Sequence, residues 1–331
     1  MTPMRRRAFL ALLAAGAILP RPAAAQPAGR LYRLGILAPT SAPLPSEQNV
    51  AVILIPKALR EMGYATDRDL VVEGRYAGGR LDRLPELARE LVQLRMDAIV
   101  AIGSAAVRAA MATTKTIPIV FYGNFDPVAA GLVKSLAKPE GNVTGVLIAP
   151  AGTLAAKKLE LLKAAVPGAV RIAFLAPADP GIQLQVQETQ QAAAALGIKL
   201  TVTEAQAGNY ERAFAALAAE RPDALFVGAH TFFVRDRKRI IELAAKHRLP
   251  AMYEWPEQVE AGGLMSYGST LGGTTRRLAV YVDRLFKGAR PGDLPVEQPA
   301  EFQLVINLPT ARTLGLAIPP AVIARADRVI E

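Results

Sequence analysis

Hydrophobic and polar positions follow two distinct periods along this chain from residue 33 onward. Short runs rich in Val, Ile, Leu and Ala show little inside–outside alternation, which is typical of strands covered on both faces. The first runs are RLGILA (33–38), LVVE (70–73), AIVAI (98–102) and IPIVF (117–121). Between them, apolar residues recur at helical spacing, as in residues 84–92 behind Asp82, a candidate N-cap. The pattern predicts a βαβ series and therefore a parallel sheet.

A second series of the same kind begins after Pro150. Its predicted helices are 153–165, 183–196, 210–220 and 235–247, and its predicted strands are 171–176, 198–203, 224–228 and 250–254. A strand at 262–268, an amphipathic helix at 274–287 and a strand at 301–308 follow, before a short helical tail. The glycine pairs at 78–79, 262–263 and 272–273 are interpreted as turns.

The order of these elements predicts an α/β protein with two lobes. If helix 274–287 packs on the first sheet, the chain crosses between the lobes near residues 148–152, 266–270 and 298–302, and such crossings form a hinge. The predicted division gives residues 30–149 plus 269–297 to the first lobe. Residues 150–268 plus 298–331 form the second lobe and the C-terminal segment that crosses the hinge.

One segment does not fit the pattern. VAVILIP (50–56) lies where the first helix of the first lobe is expected, and Pro56 would break or kink a helix that spanned it. Either the helix starts near Pro56 or it is kinked there.

The first 25 residues contain the three parts of a secretory signal peptide. Three arginines (5–7) precede an uncharged apolar run (8–19), and three alanines (23–25) form a small-residue cleavage site. The apolar run is shorter than the ~20 residues of a membrane-spanning helix. The alternative, a buried N-terminal helix, does not account for all three parts in order. RRAFL (6–10) also resembles a twin-arginine signal, so two export routes stay open. We expect a periplasmic protein that begins at Gln26.

Composition narrows the classes of function. The chain has 331 residues, 51% of them hydrophobic, which is enough for two domains with cores. Lys and Arg exceed Asp and Glu by 39 − 29 = 10, and removing the four arginines of the signal leaves an excess of six. These charges are dispersed among both signs, so nucleic acid is not an expected partner. The absence of Cys excludes disulfides, a lipobox anchor, thiolate metal sites and a Cys nucleophile.

Motifs of catalysis and cofactor binding are missing. There is no G-x-G-x-x-G after a strand, no phosphate-binding G-x-x-x-x-G-K-[ST] and no G-x-S-x-G nucleophile elbow. The two histidines, His230 and His247, lack metal-ligand spacing. The sequence therefore predicts no cofactor, no metal and no catalytic residue.

Polar loops follow the carboxyl ends of the predicted strands, where open α/β sheets bind ligands. Ser104 opens a helix whose free amides favour an anion, although it is alternatively only an N-cap. Asp126 precedes Pro127 and is alternatively a cap of the predicted helix PVAAGLVKSLA. Trp255 is either a stacking wall or a rim residue that packs on its own loop. The candidate ligand-binding residues are Thr40, Ser41, Ser104, Ala105, Tyr122, Asn124, Asp126, Asp179, His230, Phe232, Glu254, Trp255 and Tyr267.

Three long stretches carry a resemblance to a known family. They are IPIVFYGNFDPVAAGLVKSLAKPEGNVTGV (117–146), RKRIIELAAKHRLPAMYEWPEQVEAGGLMSYG (237–268) and YVDRLFKGARPGDLPVEQPAEFQLVINLPTARTLGLAIPPAVIARADRVIE (281–331). These stretches resemble the ABC-transporter substrate-binding family that includes tryptophan- and tyrosine-type binding proteins. The first loop, PSEQNVAVILIPKALREMGY, departs from the family's usual run.

The resemblance implies a type I periplasmic-binding fold, with two Rossmann-like lobes, a three-segment hinge and a ligand in the cleft. It also implies that Ser104, Asn124, Asp126 and the loop around Asp179 line the site. The expected function is a monomeric receptor that delivers a small amphipathic molecule, such as an aromatic amino acid or another carboxylate, to an inner-membrane ABC permease. A ligand-presenting sensor and a cleft enzyme are the alternatives, and the missing catalytic motifs favour binding.

Overall fold

The computed structural model describes residues 30–40, 42, 54–66, 68–149, 154–178 and 182–331, with the side chain of residue 231 excepted. The first lobe is built on a parallel sheet of five strands in the order β2-β1-β3-β4-β5. These are β1 (Tyr32–Ala38), β2 (Leu70–Tyr76), β3 (Ala98–Ile102), β4 (Ile119–Gly123) and β5 (Val143–Leu147). Both faces of β3 and β4 are buried, which explains why their sequences are apolar without alternation.

Helices cover both faces of the first sheet. They are α1 (Ile55–Glu61), α2 (Leu84–Gln93), α3 (Gly103–Thr113) and, from much later in the chain, α10 (Leu271–Phe286). Hydrophobic side chains of α10 share a buried cluster with β1, β3, β4 and α1. The ring of Phe286 stacks on Tyr32 with 4.5 Å between the ring centroids. A late helix therefore completes the core of the first lobe.

The second lobe is built on seven strands in the order β12-β11-β10-β9-β8-β6-β7. They are β6 (Arg171–Pro177), β7 (Lys199–Ala205), β8 (Ala224–Val227), β9 (Ala251–Tyr253), β10 (Met265–Gly268), β11 (Gln303–Asn307) and β12 (Arg328–Ile330). Its helices are α4 (Leu154–Ala165), α5 (Gln183–Ala195), α6 (Tyr210–Glu220), α7 (Thr231–Arg235), α8 (Arg237–Lys246), α9 (Pro256–Glu260), α11 (Leu308–Thr313) and α12 (Pro320–Ile323). Two hydrophobic clusters fill the two faces of this sheet.

The predicted two-lobed α/β fold is confirmed, with differences in detail. Strand β11 runs antiparallel to β10, so the second sheet is not wholly parallel. The tail ends in a strand, β12, that was not predicted. The predicted helix 235–247 corresponds to α8, and a further short helix that was not predicted, α7, precedes it. Asp82 lies in a 3-10 turn and pairs with Arg80, so it is not the N-cap of α2.

Two further helix predictions are decided by local backbone geometry. Helix α1 begins at Ile55 with Pro56 in its first turn, as in the alternative in which the helix starts near Pro56, and residues 50–53 of the predicted segment lie outside the described residues. The predicted helix PVAAGLVKSLA forms only a turn, because Gly131 has a φ of +69° and reverses the chain. Leu132 and Val133 then enter the hydrophobic cluster of the first lobe.

The chain passes between the two sheets after β5, after β10 and before β11. The hydroxyl of Ser269 donates to the backbone oxygen of Ile148 at 3.1 Å and so links the first two passages. A Cβ on Gly268 would lie 2.0 Å from the backbone oxygen of Glu254, so the close approach of these two segments requires glycine. Within the described part of the chain, no helix combines the length and apolar character needed to cross a membrane.

Candidate functional site

The cleft between the lobes lies at the point where each strand order reverses. In the first sheet the reversal lies between β1 and β3, and in the second it lies between β6 and β8. Loops that follow these four strands line two neighbouring chambers, as expected for ligand sites of open α/β sheets. His230 lines both chambers, so they adjoin one another.

The outer chamber has a volume of about 540 Å³, which falls within the range of roughly 300–1,000 Å³ usual for small-molecule sites. Both lobes contribute to its walls. The first lobe supplies Pro39, Thr40 and the loop after β2, and the second supplies the rest: Ala178, Gln206, Ala207, Gly208, His230, Phe232 and Arg235. The loop after β2 contains the glycine pair 78–79, which is the predicted turn, followed by Arg80 and Leu81.

The inner chamber is narrow, with a volume of about 40 Å³. It lies at the N-terminus of α3, where Ser104 is 7% exposed. The N-cap residue of α3 is Ile102, which supplies no side-chain hydrogen bond, so Ser104 is not the cap. The N-cap side chain therefore does not occupy the first amides of α3, and such amides at a helix N-terminus favour an anion. The remaining lining residues are Gly103, Gly123, Asn124, Phe125, Ile148, Ile182, Gln185, Ala229 and His230.

A positive charge stands beside Ser104. Arg108, one turn along α3, donates from Nη2 to Ser104 Oγ at 3.1 Å. This bond occupies a lone pair of the hydroxyl, so its proton is directed to another acceptor. A carboxylate in the inner chamber is such an acceptor.

His230 and Phe232 form the wall of the second lobe. His230 Nδ1 accepts a hydrogen bond from the Phe232 amide at 3.4 Å and so caps α7. The rings of His230 and Phe232 lie 4.1 Å apart, and Phe232 packs edge-on against Phe233 at 4.9 Å. Asp236 holds Arg235 through two contacts of 2.6 Å. The wall offers an aromatic surface beside a fixed guanidinium.

Two predicted residues of the first lobe, Ala105 and Asp126, neighbour lining residues of the inner chamber in the chain but do not line it themselves. Asp126 Oδ1 accepts from the amides of Val128 at 2.9 Å and Ala129 at 3.0 Å, which is the capping alternative. Ala105 packs on the hydrophobic cluster around α3. Neither residue lines the cleft.

Four other residues predicted to contact the ligand have side chains that are engaged with other parts of the protein in this structure. Tyr122 is fully buried, its hydroxyl hydrogen-bonds Thr274 Oγ1 at 2.8 Å, and burial raises its pKa above the ordinary value. Glu254 is buried in an ion pair with Lys158. Trp255 has no exposed surface and belongs to the hydrophobic cluster that includes α10. Tyr267, on β10, packs against Phe302 with 6.1 Å between the ring centroids.

Thus Thr40, Ser104, Asn124, His230 and Phe232 are brought together at the cleft, while Ser41 and Asp179 lie outside the described residues. Sequence reasoning missed Arg80, Gln185 and Arg235. Arg80 had a signal in the sequence, because the turn 78–79 ends the long strand β2 at the carboxyl edge of the sheet. Among the described residues, no group of three or more His, Asp or Glu side chains could hold a metal ion.

Comparisons with known proteins bear on the family and the fold of this chain. Residues 48–330 match the model of a family described as ABC transporter substrate binding protein. A tyrosine-binding protein of Clostridioides difficile (strain R20291) is 27% identical over 265 residues, which cover 78% of this chain and 75% of that protein.

Two solved structures cover 91% of this chain and 100% of their own chains. A conserved domain protein from Vibrio cholerae is 27% identical with a TM-score of 0.80. An ABC domain from Streptococcus pneumoniae in complex with L-Trp is 25% identical with a TM-score of 0.78.

Proposed function

This chain belongs to the family of ABC transporter substrate-binding proteins, and we propose that it binds a small amphipathic carboxylate, first of all an aromatic amino acid, between its lobes. The observation that carries the proposal is the pair of adjoining chambers, lined by both lobes at the strand-order reversals. A relative named for tyrosine and a similar structure that contains L-Trp support the aromatic class.

The chambers suggest an orientation for the ligand. Its carboxylate lies in the inner chamber, where the α3 amides and the Ser104 hydroxyl donate hydrogen bonds and Arg108 adds positive charge. Its apolar body lies in the outer chamber against Phe232, where ring faces contribute beyond simple burial. Asn124 and His230 stand at the junction of these two parts and bind the polar groups between them.

Ligand binding is coupled to closure of the lobes. A ligand that touches both lobes favours the closed arrangement, because only that arrangement makes all its contacts. We assign residues 30–149 plus 269–297 to the first lobe and the remaining mature chain to the second, with the three passages between the sheets as the hinge. The Ser269 contact with Ile148 keeps two of these passages together during rotation.

Members of this family act outside the cytoplasm, bind small ligands and deliver them to a membrane permease. For this chain we propose export to the periplasm with cleavage before Gln26, and a monomer that docks on an inner-membrane permease. The family is one of solute-binding proteins and not of enzymes. We therefore propose that the ligand leaves the cleft chemically unchanged.

A thermal-shift screen of the mature chain tests the proposal. Its panel contains L-tryptophan, L-tyrosine, L-phenylalanine, aromatic acids that lack the amino group, and nucleobases. A true ligand at 100 times its Kd adds about 2.7 kcal/mol to the free energy of unfolding. Calorimetry should then give one ligand per chain, and mass spectrometry should recover the ligand intact. Stabilisation by nucleobases alone would overturn the carboxylate assignment, and consumption of the ligand would indicate an enzyme.

A further inference from the structure

The end of β8 is completed by a side chain. Strand β8 pairs with β6 as far as Val227, and the Gly228 amide still donates to Leu175 O at 3.0 Å. At the next residue the partner changes to Gln185 of α5. Its Oε1 accepts from the Ala229 amide at 3.0 Å, and its Nε2 donates to Ala229 O at 2.9 Å. The side-chain amide therefore extends the ladder of β8 by one residue.

The residues that follow Ala229 form the second lobe's wall of the cleft. His230 lines both chambers, and α7 carries Phe232 and Arg235 into the outer chamber. Helix α7 has only five residues, too few to be stable by itself. Its position is therefore held from outside the helix, by the burial of Phe233 and Val234 and by how the chain is fixed immediately before it, at Ala229. Ala229 is 4% exposed, so water cannot easily replace the two bonds from Gln185.

We infer that Gln185 is a positioning residue for ligand binding: it fixes Ala229 and thereby holds His230, Phe232 and Arg235 in the cleft. The inference rests on the proposed function of the cleft as a ligand site. Gln185 also lines the inner chamber, but both polar ends of its amide are engaged by Ala229. Its effect on the ligand is therefore transmitted through the backbone of the wall.

The test compares Gln185→Met with Gln187→Met, a matched control at an exposed position of the same helix. Methionine keeps the length of the side chain and removes both hydrogen bonds. Hydrogen exchange is measured without ligand over residues 224–235, and binding of L-tryptophan and L-tyrosine is measured by calorimetry.

We expect Gln185→Met to accelerate exchange at 229–235 while 224–227 stay protected, and to weaken binding about tenfold. The control variant should match the wild type in both measurements. The inference is overturned if Gln185→Met exchanges residues 229–235 at the wild-type rate, or if it binds the ligand with wild-type affinity. If the wild-type chain binds neither amino acid, the proposed aromatic class fails, and the exchange measurement alone then decides whether Gln185 holds the wall.

Discussion

Two groups of side chains lie near the strand ends, one lining the cleft and the other buried inside the protein. The cleft group (Thr40, Ser104, Asn124, His230 and Phe232) lines the chambers. The buried layer (Tyr122, Lys158, Glu254 and Trp255) is closed to solvent or nearly so. Each group contains a residue that follows a strand directly, Asn124 after β4 and Glu254 after β9, so position in the sequence does not separate the groups.

The two groups differ in the contacts that their side chains make. Tyr122 lies inside β4, one residue before its end, and its side chain reaches Thr274 of α10. Glu254 follows β9 directly, but Lys158 of α4 captures its carboxylate below the cleft. Ser104 lies in the first turn of α3 and faces the gap between the lobes. A polar residue at a strand end is thus available to a ligand only when no neighbouring helix buries its side chain in a hydrogen bond or an ion pair.

The largest expected effect comes from the buried ion pair. Lys158→Met removes the charge that compensates Glu254, and a buried carboxylate left without its partner costs about 3–5 kcal/mol of stability. The adjacent Lys157 pairs with Glu160 at 3.2 Å on the surface, so Lys157→Met should change stability by less than about 1 kcal/mol. Urea unfolding measures both variants. If both variants lose the same free energy of unfolding, the buried pair contributes no more to stability than the surface pair.

The next effect concerns the inner chamber. Ser104→Ala removes the hydroxyl that we propose donates to the ligand carboxylate, and hydrogen bonds to charged groups contribute about 1.5–3 kcal/mol. Affinity for a carboxylate ligand found in the screen should therefore fall about 10- to 100-fold. The free energy of unfolding without ligand should change by at most about 1 kcal/mol. Unchanged affinity in calorimetry would place Ser104 outside the ligand site.

A pair of neighbouring residues sharpens the comparison further. Asp126→Ala removes a cap and should lower stability by about 1 kcal/mol while ligand affinity stays within about twofold of the wild type. Asn124→Ala should lower ligand affinity and leave stability nearly unchanged, because Asn124 lines the inner chamber. Thermal unfolding and calorimetry on the two variants give the contrast. If Asp126→Ala loses affinity and Asn124→Ala does not, Asp126 contributes to ligand binding and not only to capping.

The smallest effect is a dependence on pH. Burial raises the pKa of Glu257, which accepts from the Leu271 amide at 2.9 Å. As pH rises through 4.5, the unfolded chain releases this proton before the native chain does, so the native state loses stability until its own raised pKa is passed. A glutamine side chain at this position would still accept from that amide without titrating.

We therefore expect Glu257→Gln to gain stability relative to the wild type as pH rises from 4 towards neutrality. Denaturant unfolding at several pH values measures the difference between the two proteins. A constant difference across this interval would mean that Glu257 titrates equally in the folded and unfolded chains.

Local patterns predicted the regular elements well. Strand 98–102 and helix 210–220 have the bounds that the sequence indicates, because each has a complete apolar pattern of its own. Helix α10 begins at Leu271, before its predicted start, because Thr270 and the distant Glu257 cap it and allow Gly272 and Gly273 to be helical. Strand β12 exists only through its pairing with β11.

The candidate site was predicted less completely, for a related reason. The sequence indicates which loops meet at the cleft, but the direction of each side chain depends on partners far along the chain. The pair Lys158–Glu254 spans 96 positions, and Tyr122–Thr274 spans 152. Gln185 was missed because its role comes from Ala229, which is 44 positions away and has no distinctive side chain.

Trp255 gives the molecule an optical probe that needs no labelling. It is the one tryptophan of the chain, and it belongs to a hydrophobic cluster in which Ala229 and Val234 of the second lobe join residues of β1, β3, β4 and α10. An indole without exposed surface emits at short wavelength, and its emission moves to longer wavelength when water reaches it. The tryptophan fluorescence of the folded protein therefore comes from the seam between the lobes, and a red shift of this emission during unfolding marks the moment at which water reaches that seam.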